Sequence, residues 1–84
     1  MEYQVIIKPR AKKDLRKLDR STQAQLLNAI AKMQDNLTGD VKRLTNFTPE
    51  YRLRSGSYRV LFEIENDNDI VIYRIRHRRD AYKG

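Results

Sequence analysis

Arg52, Arg54, Arg59, Arg74 and Arg76 alternate with apolar residues along YRLRSGSYRVLFEIENDNDIVIYRIRHRRDAY, the stretch from Tyr51 to Tyr82. Guanidinium is effectively always protonated and presents a fork of donors, so it clamps phosphate charge well and is a poor base. Proton transfer needs other groups. Histidine is the residue type that exchanges protons near neutral pH and His77 is the single one, while Tyr82 can exchange a proton if nearby arginines depress its pKa. Such a set reads as a folded platform for a polyanion. Plainer roles compete with it: ion pairs to Glu63, Glu65 or Asp80 for the arginines, surface packing for His77, and a hydrophobic anchor for Tyr82.

Other chemistries are excluded by what is missing. There is no cysteine, which removes disulfides, thiolate metal sites and a cysteine nucleophile. One histidine, with no carboxylates at ligand spacing, does not make a zinc site. The three glycines form no phosphate-cradling loop, and Ser55 and Ser57 lack a nucleophile-elbow sequence. A reaction without metal or cofactor is therefore expected. The formal charge of +7, from 18 Lys plus Arg against 11 Asp plus Glu, calls for an acidic partner. Nucleic acid is the first candidate, ahead of an acidic protein or an anionic membrane surface.

The elements that must position these residues follow from pattern. Eighty-four residues fit one small domain, residues 1–84, with a single core. No apolar run approaches the ~20 residues that span a bilayer, and the N-terminus lacks a signal-peptide core, so a soluble cytoplasmic protein is expected. Tyr3 to Lys8 reads as a strand stopped by Pro9. Ala11, Leu15 and Leu18 mark a short helix from Arg10 to Leu18, with Lys12, Lys13, Arg16 and Lys17 on its outer faces. Ser21 is a candidate N-cap for a second helix, whose stripe is Leu26, Ile30, Met33 and Leu37 and whose end falls near Gly39. Gly39 to Glu50 reads as irregular, anchored into the core by Leu44 and Phe47.

Three strands then form a meander: YRLR, YRVLFEIE and IVIYRIRH, with turns at SGS and NDND. A two-residue loop at Gly56-Ser57 pairs Arg54 with Arg59 and puts Arg52, Arg54 and Arg59 on one face, opposite Leu53, Tyr58, Val60, Phe62 and Ile64. A three-residue loop would disperse the arginines. Tyr73 is assigned to the core. The fold class is α+β in the order β-α-α-β-β-β, a helical hairpin packed on a small antiparallel-rich sheet.

This order, the arginine strand leading into SGSYRV and the ending RHRRDAY resemble the RelE family of bacterial toxins, within the RelE/ParE superfamily. The resemblance spans essentially the whole chain. It implies the toxin of a type II toxin–antitoxin system, an endonuclease that cuts messenger RNA in the ribosomal A site and is neutralised by a cognate antitoxin. Arg52 falls at the family's catalytic basic position before the hairpin and Arg59 at its phosphate-binding arginine. Arg78 falls at the later catalytic arginine, with Arg76 as the alternative, and Tyr82 at the functional tyrosine. Where some members have a lysine this chain has Glu50, which leaves room for a carboxylate base. Arg54, Arg76, Lys12 and Lys13 are the expected RNA-backbone contacts, and His77 and Glu50 the further candidates for proton transfer. Two other functions stand beside this one: a ParE-like gyrase inhibitor without RNA chemistry, and a nucleic-acid-binding module without catalysis.

Overall fold

The structure, a computed structural model, describes residues 2–81. Its elements are β1 (Gln4–Ile7), α1 (Pro9–Arg16), α2 (Arg20–Lys32), β2 (Asp40–Arg43), β3 (Tyr51–Ser55), β4 (Tyr58–Glu65) and β5 (Asp69–His77). The five strands form one sheet in the order β1-β5-β4-β3-β2. β1 runs parallel to β5, and the other neighbours are antiparallel. The helices cover one face, α1 against β5 and α2 against β3. The expected α+β class and order of elements hold, with β2 added between α2 and β3.

Pro9 opens α1, in the first turn where its missing N–H costs nothing. The helix closes at Arg16, because the N–H groups of Lys17 and Leu18 turn back to the carbonyls of Asp14 and Leu15. α2 begins at Arg20 with Asp19, not Ser21, at the cap position, and that cap makes no side-chain bond. Leu26, Ile30 and Met33 are buried as the stripe requires. The helix nonetheless stops at Lys32, well short of Gly39, and Asn36 and Leu37 adopt left-handed φ values of 57° and 56°. Leu37 still packs against the core from this turn, which is why its spacing mimicked one more helical step.

The core lies between helices and sheet: Ala11, Leu26, Ile30 and Met33 meet Leu53, Val60, Phe62, Ile70, Ile72 and Ile75. No polar or charged residue among those described is fully buried. Gly39 has φ 129°, and a Cβ there would stand 3.1 Å from Leu53 Cδ1, so the chain needs glycine to bring β2 alongside β3. β2 escaped detection because DVKR carries one apolar residue. It is an edge strand, and charge protects such edges from pairing with other chains. Leu44 and Phe47 are half-buried and stand outside the core cluster, contrary to expectation.

Two details of the sheet set the phase of its side chains. The β3–β4 hairpin closes with Ser55 opposite Tyr58, and Gly56 takes φ 57° as the first residue of a two-residue loop, the type II′ pattern. Between β4 and β5 the register jumps, from Leu61 opposite Arg74 to Phe62 opposite Ile72. Tyr73 is the extra residue of a β-bulge. It shifts the alternation of β5, so that Ile70, Ile72 and Ile75 all join the core.

Candidate nucleic-acid interface

The register assembles a row of cations on the face away from the helices. Arg54 of β3 is the Cα partner of Arg59 in β4, and Arg59 is the partner of Arg76 in β5. The next row carries Lys42, Arg52, Leu61 and Arg74. Directly opposed residues have Cβ atoms roughly 5 Å apart, so like charges in such a row repel unless an anion answers them.

Asp40, at the start of β2, answers part of it. Arg52 Nη1 donates to the Asp40 carbonyl at 2.8 Å and to its Oδ1 at 3.1 Å, and the Arg52 side chain is only 13% exposed. Arg54 Nε lies 3.7 Å from Asp40 Oδ2, with 59% of its side chain exposed. Sequence reasoning missed Asp40 because it lay in a segment read as irregular; the acid directly after Gly39 was the available signal. Arg59 is held by main chain: its Nη1 donates to the carbonyls of Gly56 at 3.0 Å and Tyr58 at 2.9 Å. Both bonds use one nitrogen of a five-donor fork. Arg78 is exposed, and its N–H donates to the Ser57 carbonyl at 2.7 Å, which pins the segment after β5 to the same hairpin turn.

Asp14 of α1 reaches the end of β5. Its Oδ2 accepts from Arg74 Nε at 2.8 Å and from the Ile75 N–H at 3.0 Å, and its Oδ1 accepts from Arg74 Nη2 at 3.2 Å. Burial pushes the Asp14 carboxyl up, but the bonds from Arg74 and Ile75 and the charges of Arg74 and Arg10 outweigh it and hold the pKa below the usual carboxylate value. Tyr73 is no core residue: it is half-buried and its hydroxyl donates to Glu65 Oε2 at 2.6 Å. That bond and the neighbouring acids raise its pKa.

Of the proton-transfer candidates, His77 follows Arg76 in β5 but points to the opposite face, and Glu50 precedes β3. His77 is the partner of Tyr58 on the helix side, packs edge-on to it at 5.5 Å, and lines a groove of about 300 Å³ together with Asp14, Lys17, Arg74, Arg76 and Asp80. Its Nδ1 accepts from the Arg79 N–H at 3.2 Å, which leaves the proton of the neutral ring on Nε2. Glu50 is four residues before Arg54, about 13 Å along an extended strand. Its carboxylate bonds to Arg43 at 3.3 Å and its N–H to Glu63 at 3.1 Å. Lys12 and Lys13 are exposed on α1, in the helix layer. Tyr82 lies outside the described residues; Ala81 before it is fully buried.

Two helices on one face of a five-stranded mixed sheet, with a basic row on the other, define a small α+β fold built around a cationic sheet face. Residues 5–82 match the family model of the ParE toxin of type II toxin–antitoxin systems. The chain is 34% identical to the RelE1 protein of Methanocaldococcus jannaschii, over all of this chain and 99% of that one. Among solved structures it resembles the toxin–antitoxin complex RelBE2 from Mycobacterium tuberculosis, with TM-score 0.78, 26% identity and coverage of 92% and 99% of the two chains. The RelB–RelE complexes of Methanococcus jannaschii (TM-score 0.73, 25% identity, 89% and 92% coverage) and Pyrococcus horikoshii (0.72, 27%, 93% and 97%) are similar too. The chain belongs to the RelE/ParE family of toxins of type II toxin–antitoxin systems.

Proposed function

We propose that this toxin is a metal-independent endoribonuclease that cuts messenger RNA in the ribosomal A site, halts translation in the cytoplasm and is restrained by a cognate antitoxin. The observation that carries the reading is the row Arg54–Arg59–Arg76, three cations directly opposed across three strands, with Asp40 paired to Arg52 and Arg54 at its β2 end. A fold tolerates such repulsion where an anionic ligand offsets it, and RNA phosphate is that ligand. The antitoxin partner is supported by relatives whose solved structures are complexes with RelB.

In the reaction the message's 2′-hydroxyl loses its proton and attacks the adjacent phosphorus. The bond to the 5′-oxygen breaks, that oxygen is protonated, and a cyclic phosphate and a 5′-hydroxyl result. Arg59 binds the phosphate, Arg52 and Arg78 neutralise charge that builds on the phosphorane, and Arg54 and Arg76 hold the flanking backbone. Proton transfer is assigned to Tyr82, the position the resemblance marks, ahead of His77 on the helix side and Glu50 bonded to Arg43. The ribosome supplies the extended message and its alignment. The test is primer extension on message in a translating extract, where codon-phased cuts are expected.

One observation favours a second reading. The matching family model is that of ParE toxins, so gyrase inhibition without RNA chemistry is the alternative. Intact message together with blocked supercoiling of plasmid DNA would replace the first reading with this one.

A further inference from the structure

β5 outruns its parallel neighbour. β1 covers it only from Asp69 to Ile72, and the last bond across that edge is Lys8 N–H to the Ile72 carbonyl at 2.9 Å. Pro9 then brings no N–H and turns the chain into α1. Beyond Ile72 the edge of β5 therefore has no strand beside it, at the point where the Tyr73 bulge has just changed its phase. An unpaired amide at such a half-buried edge is costly, and past the bulge β5 pairs on one side only, with β4 from Leu61–Arg74 to Tyr58–His77.

Asp14 fills that gap. A single carboxylate takes the Arg74 fork and the Ile75 amide, the two residues directly after the bulge. Around it α1 carries Arg10, Lys12, Lys13, Arg16 and the adjoining Lys17, so Asp14 is the one acid of the helix and it points to the strand. The bulged residue is held in turn by Glu65 on its hydroxyl, and Lys8 Nζ sits 5.8 Å from its ring centre. Three residues past Ile75, the Arg78 N–H is fixed to the Ser57 carbonyl. The segment that carries Arg76 is thus pinned at both ends, opposite Arg59.

We infer that Asp14 is a positioning residue: through Arg74 and the Ile75 amide it holds the re-phased end of β5, and with it Arg76 and Arg78, in register with Arg59 for RNA cleavage. The inference rests on the nuclease reading. α1 is seated by Ala11, Leu15 and Leu18, which pack on the core without help from Asp14, so the carboxylate adds placement to a helix that is already docked.

The experiment pairs amide hydrogen exchange with single-turnover cleavage of ribosome-bound message, for the wild type, Asp14→Ala, Asp14→Asn and Arg74→Lys. In Asp14→Ala the Ile75 amide should exchange about tenfold faster or more while Leu26 and Ile30 in α2 keep their protection. The cleavage rate should fall about tenfold with the half-saturating ribosome concentration within about twofold, since placement is lost and the basic face remains. Asp14→Asn, which keeps an acceptor oxygen, should fall between, and it carries the test with Arg74→Lys should the alanine variant fail to fold. Unchanged exchange at Ile75, or faster exchange with unchanged cleavage, overturns the inference. A wild type that leaves message intact overturns the nuclease reading and the catalytic part of this one, while the exchange data still decide whether Asp14 holds the strand.

Discussion

Arg59 and Arg76 are direct cross-strand partners, and they are so because Tyr73 is one residue too many for the β4–β5 ladder. With strict alternation from Ile70 and Ile72, position 76 would fall on the core side. The bulge moves it onto the face of Arg54 and Arg59 and gives the core Ile75 in exchange. Stacked arginines should make the free toxin sensitive to screening. Raising salt from about 0.05 M to about 0.3 M should therefore raise its melting temperature, as should a short RNA oligonucleotide at low salt. A melting temperature that falls with salt would mean the row is already neutralised within the protein.

Acid should weaken the fold through Asp14. Its pKa is depressed in the folded state, so its contribution is present above the ordinary aspartate value of 3.8 that the unfolded chain has, and is lost as pH falls through the lower folded value. The groups facing it are Arg74 of β5 and Arg10 of α1, both cationic throughout that range. Denaturant titrations near pH 5 and below pH 3 should show the Asp14→Asn variant losing less stability between them than the wild type. Near neutral pH the same variant should be about 1–2 kcal/mol less stable, as expected for a half-buried charge-assisted pair.

Packing predicts a sharp contrast between two apolar residues. Phe62 is fully buried, and Phe62→Ala should cost about 3–5 kcal/mol, enough to unfold much of so small a chain. Leu27 is 43% exposed on α2, and Leu27→Ala should change stability by under about 0.5 kcal/mol. Thermal melts of the two variants check both. A soluble, cooperatively melting Phe62→Ala protein near wild-type stability would contradict the assigned core.

The placement of His77 and Glu50 predicts mild phenotypes. His77 sits against Tyr58 on the helix side and Glu50 is engaged with Arg43 and Glu63. His77→Gln and Glu50→Gln should each keep cleavage within about threefold of wild type, with no change in the pH profile near neutrality. Loss of about a hundredfold or more in either would return that residue to the reacting centre.

The fold was legible where hydrophobic period and turn chemistry agreed. The alternation from Leu53 to Ile64 and the glycine at position 56 pointed to the two-residue loop that the hairpin adopts, and with it to the shared face of Arg52, Arg54 and Arg59. What escaped was non-local. The β2 strand exists only because Asp40 to Arg43 find β3, and Leu37 imitates a helical step from a left-handed turn. Tyr73 looked like core because no single-strand pattern reveals a bulge. The bond between Asp14 and Arg74 joins residues 60 positions apart and has no local signal.

The arginine row is the centre of the account, and Arg59 is its middle member. Single-turnover cleavage of message on purified programmed ribosomes, compared between wild type and Arg59→Ala with folding checked by thermal melt, tests it most directly. Loss of one preorganised donor to the reacting phosphate predicts a rate lower by about a hundredfold to a thousandfold, with ribosome binding reduced far less. Equal rates of codon-phased cutting by the two proteins would contradict the claim that this row acts on the phosphate.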